Sequence, residues 1–167
     1  AESGRELGAD DRLAAEEALT EAIELATLHD GLVLDLQTPR VVDFDDPRPR
    51  PAAALFSFEY DLENLGEIRT HGLNVIGLPE IVVRDVPEDQ RNMYDMVVVG
   101  LVNRLLDEWP EHDPVGPARV TLGDIAAGYE GGESVQEQRG VDVLIDYDPQ
   151  IPALTVEVMT SPGEALF

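Results

Sequence analysis

The stretch Arg69-Thr70-His71-Gly72, followed by Glu80, is where this chain comes closest to a reactive constellation. An arginine holds anions, a histidine exchanges protons near neutral pH, and a carboxylate serves as an acid–base partner. At a polar strand end beside glycines, Arg69, His71 and Glu80 would suit a small ligand or an enzyme site. They also have a plainer use. Glu80 follows Pro79 and can pair with Arg69 or Arg84 across neighbouring strands, fixing register for ~0–1 kcal/mol if exposed.

The other candidates lack the spacing that chemistry needs. His29, His71 and His112 are far apart and form no two-histidine helical pair, and the chain has no cysteine, so no metal site is expected. The absence of cysteine also removes disulfides and a thiol nucleophile. Asp43, Asp45 and Asp46 resemble a fragment of a calcium loop, but the glycine and the distal glutamate of that loop are missing. Asp146 and Asp148 make a second acidic pair. Gly128–Gly132 is not followed by the lysine of a phosphate-binding loop, and no serine sits in a nucleophile elbow. With 35 acids, paired carboxylates occur throughout by composition. The expectation is a protein without catalytic residues and without a cofactor.

Charge says more. The 35 acids face 11 basic residues, all of them arginine, for a formal charge of −24 over 167 residues. A chain of this size exposes roughly 8,000 Å², which places acids about 15 Å apart if evenly spread. That exceeds the ~8 Å screening length at physiological salt, so only clustered acids make a strong local field. Binding through nucleic-acid phosphates, or to an anionic membrane surface, is disfavoured because both need a basic footprint. The partner to expect is a basic protein, with Asp43, Asp45, Asp46, Asp146 and Asp148 as docking candidates. The rival explanation is that the acidity reflects adaptation to salt or a GC-rich coding bias. DNA mimicry would need the acids on one continuous stripe.

The elements that must position these residues read as follows. Residues 1–9 form a loose acidic leader before a single domain, 10–167. Asp10 or Asp11 caps a helix running to about His29, with Ala15, Ala18, Leu19, Ala22, Ile23, Leu25 and Ala26 at helical spacing and Glu17, Thr20, Glu21 and Glu24 opposite. Leu32–Leu36 and Arg40–Phe44 flank a proline turn as a hairpin. The prolines at 47, 49 and 51 stiffen an extended loop. Ala52–Tyr60 alternates as a strand whose aromatic face lines the core. Short strands follow at 67–71 and 81–86. Pro87 opens a strongly apolar helix reaching Trp109, which should lie largely buried against a sheet and is also a candidate homodimer interface. Further strands fall at 119–122, 141–147 and 154–159, with one helical turn at 124–129 and a polar loop at 130–140. The sum is an α+β fold, a mainly antiparallel sheet of about seven strands with two main helices on one face. No run is long and apolar enough to span a membrane. The acidic first residues lack the apolar core of a secretory signal, which implies a cytoplasmic location.

Residues 68–87, Ile-Arg-Thr-His-Gly-Leu-Asn-Val-Ile-Gly-Leu-Pro-Glu-Ile-Val-Val-Arg-Asp-Val-Pro, resemble a segment of a family of uncharacterised bacterial proteins. The shared pattern is Thr-His-Gly, then Gly-x-Pro-Glu, then a strand ending in Val-Pro before a helix. The helix and the Gly-Leu-Val-Leu-Asp-Leu-Gln-Thr run within 21–42 are similar to that family's N-terminal part. Such relatives resemble domains that accompany bacterial toxin and secretion systems. The resemblance implies an immunity-like or chaperone-like protein and brings no catalytic residues.

Overall fold

The computed structural model describes residues 7–36, 38–45, 50–60, 66–131, 138–148 and 150–167. The chain is α+β, with a six-stranded mixed sheet and a separate two-stranded one. Helix α1 (Leu7–Leu28) precedes the small hairpin β1 (Leu34–Asp35) and β2 (Arg40–Val41). The large sheet holds β3 (Ser57–Tyr60), β4 (Ile68–His71), β5 (Glu80–Val83), β6 (Gly116–Thr121), β7 (Gly140–Tyr147) and β8 (Ala153–Val158). Helices α2 (Arg91–Glu108), α3 (Leu122–Glu130) and α4 (Pro162–Leu166) complete the described chain.

Strand order is β3-β4-β5-β8-β7-β6. Two antiparallel meanders meet where β5 runs parallel to β8, with Ile81 beside Leu154 and Val83 beside Val156. Parallel neighbours need a crossover, and α2 lies on that route. Alternation then sorts the side chains. Ile68, Ile81, Val83, Val120, Val141, Val143, Ile145, Leu154 and Val156 all turn to one face and are buried there. Val97, Val98, Leu101, Val102 and Leu105 of α2 fill the same core. The apolar stripe of α2 is thus turned inward and offers no dimer surface.

Several local expectations change. Helix α1 covers Leu7–Leu28, so Asp10 and Asp11 lie inside it rather than capping it, and residues 7–9 of the expected leader are helical; residues 1–6 lie outside the described residues. Ala52–Ala54 form a 3₁₀ turn, closed by the Leu55 N–H to the Ala52 carbonyl, and the strand starts only at Ser57. Phe56 and Phe58 pack edge to face at 5.1 Å toward the core, while Tyr60 at the strand end is exposed. The helical turn expected at 124–129 is a nine-residue helix, α3. A capping box starts it: Thr121 Oγ1 accepts from the Asp124 N–H at 3.1 Å, and the Thr121 N–H donates to Asp124 Oδ2 at 2.8 Å. Among the described residues no helix is long and apolar enough to cross a membrane.

Helix α1 packs against the 3₁₀ turn Leu73–Ile76. Glu17, Glu21 and Glu24 are exposed, as the periodicity predicts, but so are Leu13, Leu25 and Leu28. What fastens α1 and the hairpin is Arg50, 8% exposed, whose Nε reaches Glu16 Oε1 and whose Nη1 reaches Asp35 Oδ2, each at 3.3 Å. Asp35 also accepts from the backbone N–H and the hydroxyl of Thr38.

Candidate functional site

Arg69 and His71 share the outer side of β4, where His71 is exposed, while Thr70 between them points into the core. Glu80 does not pair with Arg69 or Arg84. Its Oε2 accepts the Thr70 hydroxyl at 2.7 Å, and its Oε1 accepts the backbone N–H groups of Gly72 (3.0 Å) and Asn74 (3.2 Å). Gly72 has φ 111°, a left-handed conformation that suits glycine, and it opens the turn Leu73–Ile76. Glu80 thus satisfies the first N–H groups of that turn, and Thr70 ties it to β5 by accepting the Ile81 N–H at 2.7 Å. A carboxylate holding three donors is a folding contact. Among the described residues no hydrogen bond or ion pair joins Arg69, His71 and Glu80 to one another.

The arginines pair elsewhere. Arg69 Nη2 meets Glu67 Oε1 at 3.0 Å, Glu67 Oε2 meets Arg84 Nε at 3.5 Å, and Arg84 Nη2 meets Asp148 Oδ2 at 3.2 Å. This chain of charges links the start of β4 to the ends of β5 and β7. Asp148 is held below the usual carboxylate range, first by the Gln150 backbone N–H and then by Arg84. On the outer face of the sheet Arg119 grips Asp142 with two bonds of 2.7 and 2.8 Å, which lowers the Asp142 pKa. Of the other acidic candidates, Asp43 accepts the Asp45 N–H at 3.0 Å, Asp45 is exposed, and Asp146 accepts the Tyr147 N–H at 2.8 Å. Asp46 lies outside the described residues. The candidates occupy two regions, the end of the hairpin and the end of β7. Among the described residues no group of three or more potential ligands is arranged to hold a metal.

A cluster that the sequence reading missed lies where β3 meets α2. Tyr60 Oη donates to Asp95 Oδ2 at 2.8 Å, and the Arg91 guanidinium stands 5.2 Å from the Tyr60 ring centre. The second oxygen of Asp95 is buried and accepts no hydrogen bond. Burial pushes the Asp95 carboxyl above its ordinary range. No spacing rule links residues 60 and 95, so only the fold reveals the pair.

All four tyrosines of the chain have raised pKa values, chiefly from desolvation of the phenol, even though Tyr60, Tyr129 and Tyr147 are 37%, 46% and 44% exposed as whole residues, with Asp95 adding to Tyr60 and Tyr129, Asp85 to Tyr94, and Asp113 to Tyr147. Each phenol keeps its proton longer folded than unfolded. The stability linked to these groups is therefore complete below the unfolded value of 10.0 and is lost as pH climbs through the higher folded values. Tyrosinate absorbance should rise late and together with loss of the circular-dichroism signal. A gradual rise centred on the ordinary value, with the fold intact, would contradict this environment.

The hairpin carries an exposed apolar row. Leu32, Leu34 and Leu36 are 76%, 62% and 82% exposed, and Val41, paired across from Leu34, is 55% exposed. Val33 and Asp35, between the leucines, and Val42 on the other strand turn inward. The sequence places these runs in a hairpin and does not say which side is covered. The period-two pattern is present, but with apolar residues on both sides it does not reveal which side meets water. Comparison with family models, with curated proteins and with solved structures found no match.

Proposed function

We propose that this chain is a non-catalytic, cytoplasmic binding protein that docks a basic protein partner through its acidic surface, in the manner of an immunity or chaperone protein. The observation that carries this reading is the internal use of its cations. Arg50, Arg69, Arg84, Arg104 and Arg119 are all held in ion pairs within the chain. Glu17, Glu21, Glu24, Asp30, Asp43, Asp45, Glu88, Asp89, Asp146 and Glu157 are exposed. A visiting macromolecule therefore meets a carboxylate surface, which steers a cationic partner and repels nucleic acid. The resemblance of residues 68–87 to a family of uncharacterised bacterial proteins, read from the sequence, implies an immunity-like or chaperone-like role of the same kind.

The test is titration against the basic product of a neighbouring gene. Association should weaken about tenfold or more as salt rises from dilute buffer to several times physiological strength. Absent or salt-insensitive association would defeat the reading. A second reading, salt adaptation, draws support from the lack of lysine and the excess of 35 acids over 11 arginines.

A further inference from the structure

We infer that the outward face of the β1–β2 hairpin, formed by Leu32, Leu34, Leu36 and Val41, is a docking surface for a cationic amphipathic segment of a partner protein. The inference rests on the proposed function and deepens it by naming the surface and the chemistry of what covers it. Exposure alternates along residues 32–36, with Leu32, Leu34 and Leu36 exposed and Val33 and Asp35 half-buried. The row is therefore a regular outward face opposite the inward one. The inward side is fixed: Val42 and Thr38 are buried, and Asp35 is tied to Arg50. The hairpin thus presents this apolar side to water.

The dimensions suit a helix. Leu32 to Leu36 spans about 13 Å at the rise of an extended chain. Apolar residues at positions i, i+3 or i+4, and i+7 of a helix span about 10 Å. Val41 widens the row across the strand pair.

Charge selects the occupant. Asp30 precedes the row, Asp43 and Asp45 follow it, and all three are exposed with Phe44 between the last two. A second copy of the chain would bring another −24 to the same place. A segment with leucines on one side and lysines or arginines on its flanks would cover the row and neutralise its borders.

The probe is a synthetic leucine–lysine peptide patterned as an amphipathic helix, compared with a shuffled peptide of the same composition. The wild-type chain should bind the patterned peptide about tenfold or more tightly than the shuffled one. The double variant Leu34→Gln/Leu36→Gln should lose that preference, and so should Leu32→Gln, which lies outside the paired residues and serves as a second variant. Val115→Gln and Met159→Gln, at exposed apolar positions elsewhere, should behave as wild type. Equal binding of both peptides, or a preference that survives in the hairpin variants, would overturn the surface while leaving acidic docking in place. Failure to bind either peptide in dilute buffer would overturn both. A concentration-dependent dimer that the double variant abolishes would show that a second copy covers the face, and would also overturn the inference.

Discussion

Replacing Arg50 with methionine should lower the melting temperature by about 10 °C. Methionine keeps most of the stem and removes the charge. Glu16 and Asp35, which are 19% and 15% exposed, then lose the cation between them. Breaking a buried pair from one side costs about 3–5 kcal/mol, because the remaining charges stay desolvated. The 3.3 Å contacts place Arg50 toward the lower end of that range. The loss should be local first, since Arg50 joins α1 to the hairpin and not to the large sheet. Amides within residues 12–45 should therefore exchange faster before the sheet does. Adding Glu16→Gln and Asp35→Asn to Arg50→Met should recover more than half of the loss. A melting temperature within about 2 °C of wild type in the single variant would mean that α1 and the hairpin are held by packing alone.

Gly128→Ala should be destabilising, against the ordinary preference of helices. In an exposed helical position this change gains about 1 kcal/mol. At Gly128 an added Cβ would lie 2.8 Å from Val99 Cγ1 and 2.9 Å from the Val99 carbonyl oxygen. The side chain could rotate aside, but the carbonyl belongs to the backbone of α2. Helix α3 would have to back away from α2, and Gly100 reinforces the point. A Cβ there would lie 2.7 Å from Val120 Cγ1 and 2.8 Å from Ile125 Cγ1. The two glycines let α2, α3 and β6 approach more closely than any side chain permits. Overpacking of this kind costs ~1–3 kcal/mol and sometimes more. With the cost at the upper end, about 3 kcal/mol, set against the roughly 1 kcal/mol of helix preference, we expect a net loss of about 2 kcal/mol, or roughly 6 °C. Ala126→Gly, exposed on the same helix, should lose about 1 kcal/mol for the opposite reason. A rise in melting temperature for Gly128→Ala would show that the helix crossing has room to spare.

Much of the fold was legible because its signals are local. Val141, Val143 and Ile145 alternate with polar neighbours, and Pro87 precedes a long apolar helix, so β7 and α2 could be placed from the residues alone. The β5–β8 pairing could not, since nothing in Glu80–Val83 names a parallel partner at Ala153–Val158. Ala52–Tyr60 misled because alanines fit a strand pattern as readily as a 3₁₀ turn. Arg50 was read as part of a stiff proline loop, and its partners lie 34 and 15 residues away.

The candidate site was legible in part. The segment 69–80 drew attention through residue type, and the fold does bring Thr70, Gly72 and Glu80 together. Glu80 ended on backbone N–H groups, which side-chain chemistry alone does not advertise. The leucine row at 32–36 was visible as a pattern, but its exposure depends on which side of the hairpin the body covers.

What the negative charge is for is decided most directly by melting temperature measured against salt. If the carboxylates form a docking surface on a body held by its own core and ion pairs, the chain is folded in dilute buffer. Its melting temperature then moves by only about 5 °C toward molar salt. A chain that is unfolded at low ionic strength and keeps gaining stability into molar salt would contradict this, and its acidity would be an adaptation to brine.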